Sequence, residues 1–168
     1  MDESLLARLS ELEARLHTID DERAIVRRMH EYAHALDYAK NSDDFVNCFT
    51  EDGVWYSTIE STHAGSEGVR LSGREELRAW AGASTTRGTP GHFTKHMLVE
   101  PAITIDGDRA DATSYFSVFN ETPNGPIIYS MGRYLDKLVR CEDGEWRFIE
   151  RHLLRENVDA RGQTRPAG

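Results

Sequence analysis

Apolar residues fall in two helical rows near the start of the chain. Leu5, Leu6, Leu9, Leu12 and Leu16 recur at spacings of three and four among charged residues, the pattern of an amphipathic helix. Thr18-Ile19-Asp20-Asp21 then reads as a break that caps a second helix over residues 21–39. In that helix Ile25, Val26, Met29, Ala33 and Leu36 cluster within about 60° of Met29 on a wheel of about 100° per residue, and Tyr32 joins them. Ser42-Asp43-Asp44 caps a short third helix carrying Phe45, Val46 and Phe49, which ends near Asp52-Gly53. Val54 to Ile59 is rich in strand formers, 60–71 reads as loop, and 72–83 as a capped helix with Leu77, Trp80 and Ala81 on one side.

Beyond a Gly/Thr/Pro-rich loop at 84–91 the period changes. From His92 onward long strand-like runs are divided by turn signals at Asp106-Gly107-Asp108, Pro123-Asn124-Gly125-Pro126 and Glu142-Asp143-Gly144, which predicts about four strands in a meander. Residues 158–168 have little apolar content and read as a tail, leaving one domain over 1–157. Helices first and a curved antiparallel sheet afterwards is an α+β plan, with a pocket between helical layer and sheet.

Composition narrows the partners. The chain has 168 residues and a net charge of −9, from 29 acidic against 20 basic side chains, with no basic run dense enough to follow a phosphate backbone. Nucleic acid is not expected. Cys48 and Cys141 are far apart and form no metal-binding or redox pair, which favours a reducing compartment. The acidic start and the absence of a long apolar run argue against a leader or a membrane span, so the expectation is a soluble cytoplasmic protein.

The stretch HEYAH, residues 30–34, matches the H-E-x-x-H zinc signature. Helical phase opposes that reading: His30 lies about 100°, His34 about 140° and Glu31 about 160° from Met29, so the trio faces outward. A third ligand is also missing, because Asp37 and Lys40 stand where the extended signature has glycine and histidine. No metal site is expected. Asp37, about 80° from the stripe centre, borders the interior and sits at a helix C-terminus, where the macrodipole disfavours a carboxylate. Such a misfit points to a functional reason, with a surface carboxylate as the alternative.

Taken with FTEDGVWY (49–56), HFTKHML (92–98) and SMGRYLDKLVRCEDGEWRFIERHL (130–153), the Tyr32-x4-Asp37 spacing resembles the SnoaL-like branch of the nuclear transport factor 2-like superfamily, which includes scytalone and bile-acid dehydratases. The resemblance spans residues 5–155. It implies a cone-shaped α+β fold enclosing a pocket, and elimination of water or halide without a cofactor. It also implies that His96 acts as general base, Asp37 orients it, and Tyr32 hydrogen-bonds a substrate oxygen; His92 is a backup base. Trp55, Tyr56, Phe93, Met97, Tyr115 and Phe119 are the expected apolar pocket residues, and Arg133 is a candidate for a substrate carboxylate or phenolate. For the proton donor to the leaving group the chain offers only Ser117, Asn120 or Glu121. The expected partner is a small hydrophobic cyclic or aromatic substrate, turned over by a lyase of the dehydratase type. An isomerase or cyclase, or a non-catalytic subunit like the dioxygenase β subunits, remains the alternative. Self-association is expected, a trimer by the resemblance or else a dimer.

Overall fold

A computed structural model describes residues 3–38, 42–59, 68–84 and 86–156. The element order is α1 (Glu3–Tyr38), α2 (Asp43–Val46), β1 (Phe49–Ile59), β2 (Arg70–Ser72), α3 (Gly73–Gly82), β3 (Thr94–Leu98), β4 (Ala102–Asp106), β5 (Arg109–Asn120), β6 (Ile127–Arg140) and β7 (Trp146–Arg155). The expected tail and most of the 60–71 loop lie outside the described residues.

The break expected at 18–21 is absent, and α1 runs unbroken for 36 residues. Two side chains that read as caps have other partners. Thr18 Oγ1 donates to the Ala14 carbonyl one turn back. Asp21 accepts from Arg140 Nη2 at 2.6 Å and from Trp146 Nε1 at 3.2 Å, which ties the middle of the helix to the far end of the sheet. What changes near residue 20 is the apolar face. The row Ile25, Met29 and Leu36 packs into the core, whereas the leucine row before it lies about 150° around the helix at about 100° per residue.

The seven strands form one curled sheet in the order β2-β1-β7-β6-β5-β3, with β4 also paired to β5. The second half meanders as expected, with one strand more than expected. Glu100-Pro101 separates β3 from β4, and the two lie end to end along β5. Proline has no N–H to continue a ladder, so the strand is interrupted there. A further correction concerns direction: β1 pairs β7 in parallel, so the sheet is mixed rather than wholly antiparallel.

The concave face of the sheet holds Ala110, Ala112, Phe116, Val118, Tyr134, Leu138, Trp146 and Phe148, which meet Tyr32, Leu36, Phe45 and Phe49 from the helical side. Burial of a large apolar side chain stabilises by roughly 1.5–3 kcal/mol, and this layer supplies most of the core. Gly132 lets β6 press against β7, since a Cβ there would lie 2.0 Å from the Leu154 carbonyl oxygen. The sheet bends over the helix without closing, and a cavity remains between them.

Candidate active site

The cavity, about 710 Å³, lies between the end of α1, α3 and the concave strands. Asp37 occupies the last turn of α1 and is 5% exposed. Its Oδ1 lies 2.6 Å from His96 Nδ1, and its Oδ2 accepts from the His96 backbone N–H at 3.1 Å. One carboxylate thus fixes both ring and main chain of the same residue. A carboxylate only accepts, so Nδ1 carries the hydrogen and Nε2 keeps a lone pair. His96 lines the cavity while Asp37 stands behind it.

The contact is assembled from both ends. β3 is an edge strand, and His96 and Thr94 share its inward parity. Asp37 replaces the pairing that an edge N–H at His96 would otherwise lack. Gly88 allows the following loop to close over the helix end: its φ is +69°, and a Cβ there would meet the Asp37 carbonyl at 3.1 Å.

Tyr32 is buried at the cavity floor, and its hydroxyl accepts a hydrogen bond from Trp55 Nε1 at 2.8 Å. Burial pushes its phenol up to about 12, partly opposed by the charge of Arg151 and the bond from Trp55. Trp55 stacks on Trp80, with centroids 5.2 Å apart, and both line the wall. Phe93 lines the cavity as well, and His92 is an exposed residue at its rim.

Five expected substrate contacts require correction, and strand parity is the common cause. Tyr56 points to the outer face, where it stacks on His152 with centroids 4.2 Å apart. Met97 and Tyr115 are exposed on that outer face, at 56% and 61%. Phe119 alternates with the inward Val118 and Asn120 and does not line the cavity. Arg133 also faces outward and pairs with Glu156 at 2.6 Å. Of the possible proton donors, Asn120 and Glu121 line the cavity and Ser117 does not. Asn120 Oδ1 accepts from Thr94 Oγ1, and Glu121 accepts the backbone N–H groups of Gly91 and Phe93.

The cavity also contains Arg87, Tyr129, Ser130 and Arg155, which are not among the residues expected there from the sequence. Val118 pairs with Ser130 and Phe119 with Ile128, so Tyr129 is the extra residue of a bulge. That bulge brings Tyr129 and Ser130, adjacent in sequence, to the same cavity. Arg155 Nε donates to Ser130 Oγ at 3.1 Å. Arg87 donates to the Ala81 carbonyl, and burial lowers its guanidinium while nearby Asp37 raises it.

His30, Glu31 and His34 are exposed, in keeping with their helical phase. Among the described residues no cluster of three His, Cys, Asp or Glu side chains has the placement to hold a metal ion. Nor is any described helix long and apolar enough to cross a membrane.

A helix-backed, curled sheet around a side-chain-lined cavity defines the class of protein, a small α+β pocket domain of the nuclear transport factor 2-like kind. Within that class the chain belongs to the SnoaL-like domain family, which matches residues 17–152. No curated protein matches the chain. Solved structures share its fold at low identity. A nuclear transport factor 2-like protein with a cystatin-like fold from Novosphingobium aromaticivorans has a TM-score of 0.74 at 21% identity, covering 94% of this chain and 97% of its own. A protein provisionally named a scytalone dehydratase, from the same organism, has a TM-score of 0.62 at 23% identity, covering 84% and 89%. The β subunit of a provisionally named aromatic-ring-hydroxylating dioxygenase, again from that organism, has a TM-score of 0.70 at 19% identity, covering 84% and 92%.

Proposed function

We propose that this protein is a lyase that eliminates water from a small cyclic or aromatic substrate, with His96 as the base. The contact of Asp37 with His96 at the wall of an apolar cavity carries this reading. His96 Nε2 takes a proton from a carbon next to a carbonyl or aromatic ring. The C–H electron pair becomes the new C=C bond, and the hydroxyl departs with the C–O pair and leaves as water on taking the proton back from the His96 imidazolium. The Asp37 carboxylate keeps the imidazole in its productive tautomer and stabilises the imidazolium that forms. Asn120 and Glu121 are the cavity groups placed near enough to β3 to assist the leaving oxygen. The indoles of Trp55 and Trp80 suit a flat ring, and Arg87 and Arg155 suit its oxygen substituents.

Likeness to a dioxygenase β subunit favours a second reading, a non-catalytic subunit in which the same cavity is vestigial. Nitrobenzisoxazole tests the base itself, because a base poised in such a cavity opens its ring by removing the C–H proton while the N–O bond breaks to a coloured phenolate. The lyase reading expects the protein to accelerate ring opening and His96→Ala to remove about 10²-fold or more of it. Equal rates for the two proteins overturn it.

A further inference from the structure

The leucine-bearing start of α1 is exposed at every residue from 4 to 20. It extends about 26 Å as a helix of about 1.5 Å per residue. In proteins most helix stability comes from packing an amphipathic face, and this stretch has its apolar row in solvent. Leu9 and Leu16 are 45% and 59% exposed, and Leu5, Leu12 and Ile19 are exposed to a similar degree.

The spacing of these five residues is four, three, four and three, which makes them alternate d and a positions of a heptad repeat. Leu6 stands at a neighbouring e position and widens the row. The flanking charges divide by side. Arg8 and Arg15 hold the g positions, whereas Glu13 and Asp20 hold e positions. When two such helices pair in parallel, each g residue meets the e residue five positions on in the other copy. Arg8 then meets the partner's Glu13, and Arg15 the partner's Asp20. Reversing one helix sets arginines against arginines and acids against acids. Arg23 takes the next a position and ends the seam. Because the row faces nearly opposite to Ile25, Met29 and Leu36, a second helix can lie on it while both domains stay outside.

We propose that residues 5–19 form a parallel coiled coil with the same segment of further copies of this chain, making the N-terminal half of α1 a self-association handle independent of the pocket chemistry. Sedimentation equilibrium of the full chain tests this. The unaltered protein is expected at a multiple of its 19.1 kDa, and Leu9→Glu with Leu16→Glu weakens association at least tenfold without altering far-field packing of the cavity, read by tryptophan fluorescence. Reversing charge by Arg8→Glu with Arg15→Glu, or by Glu13→Arg with Asp20→Arg, weakens association in each protein alone, and mixing the two restores it as a heteromer. A Leu5→Cys chain forms a disulfide between copies under oxidation, as only parallel helices in register allow. The proposal is overturned if the leucine variant keeps the mass of the unaltered protein, if the charge-reversed chains fail to pair with each other, or if Leu5→Cys yields no covalent pair.

Discussion

Two aspartates lie buried beside a basic side chain in this fold, and their surroundings are opposite. Asp37 meets His96 at 2.6 Å on the wall of the cavity. Asp136 stands 3.4 Å from Arg151 in the core, where neither side chain is exposed at all. The Arg151 guanidinium lies 4.0 Å from the ring centre of Tyr32, 3.8 Å from that of Tyr134 and 4.5 Å from that of Phe148. Neither Asp136 oxygen makes a hydrogen bond, and the same holds for the guanidinium nitrogens of Arg151. The cation is held by aromatic faces more than by a fork of hydrogen bonds. A histidine gives up and takes back a proton near neutral pH, whereas an arginine does not. The first pair is therefore suited to proton transfer and the second to fixing the core around Tyr32.

The largest effects should separate the pairs completely. On the lyase reading His96→Ala removes the base and is expected to cut ring opening of the nitrobenzisoxazole probe by roughly 10²–10⁴-fold, while the urea midpoint shifts little. Asp136→Ala is expected to do the reverse. It leaves the Arg151 charge buried without its counterion, at a cost of about 3–5 kcal/mol in unfolding free energy. Replacing both members, Asp136→Leu with Arg151→Met, should recover most of that loss, because two apolar side chains need no compensation. If the double variant is no more stable than Asp136→Ala, the pair does more than hold a charge.

Titration sharpens the same contrast. Burial pushes the Asp136 carboxyl up to about 7, with Arg151 pulling it back. The unfolded chain releases that proton near the ordinary carboxylate value of about 3.9. The folded state therefore binds more protons between the two values. The stability it contributes is complete below the unfolded value and is lost as pH rises through about 7. Denaturation of the unaltered protein and of Asp136→Asn, compared from about pH 4 to about pH 8, should show the unaltered protein losing ground as pH rises. A difference that is flat across this range would contradict it. Asp37→Asn is expected to be milder than His96→Ala. It keeps an acceptor for the His96 backbone N–H but weakens control of the tautomer, and should lower the rate by about tenfold to a hundredfold with little change in stability.

The legibility of these features in the sequence differs from element to element. The packed half of α1, α3 and the turns of the meander follow from period and turn residues, because those signals are local; the helix expected from Ser42 to Asp52-Gly53 stops at Val46, and Phe49 already belongs to β1. The unbroken α1 does not, since the fate of Asp21 depends on Arg140 and Trp146, more than a hundred residues away. The outward phase of His30 and His34 could be computed from spacing alone. Asp37 could be singled out by its border position, but its partner came from a family resemblance. Nothing in the local pattern of residues 92–98 says that His96 faces a cavity. The aromatic contacts failed where hydrophobicity was used without parity: Tyr56, Met97, Tyr115 and Phe119 are apolar or aromatic but alternate to the outer face. Tyr129 is hidden for a related reason: it is the extra residue of a bulge, whereas Ser130 keeps the inward alternation of β6.

Tyr32 belongs to both regions and gives the smallest but most pointed test. Its ring is one of the faces on Arg151, and its hydroxyl, on the cavity floor, accepts from Trp55. Tyr32→Phe keeps the ring and removes the hydroxyl, leaving the Trp55 N–H without its acceptor, which should cost about 1–3 kcal/mol of stability. If the hydroxyl serves only that bond, probe turnover should stay within about twofold of the unaltered protein under folding conditions. If it also donates to charge developing on the substrate, kcat should fall by about tenfold with KM little changed, because an interaction made only in the transition state is lost. The second outcome is expected, since the buried phenol, held near 12, keeps its proton at neutral pH and remains available as a donor. An unchanged kcat would assign Tyr32 wholly to the Arg151 side and leave His96 and Asp37 to work without it.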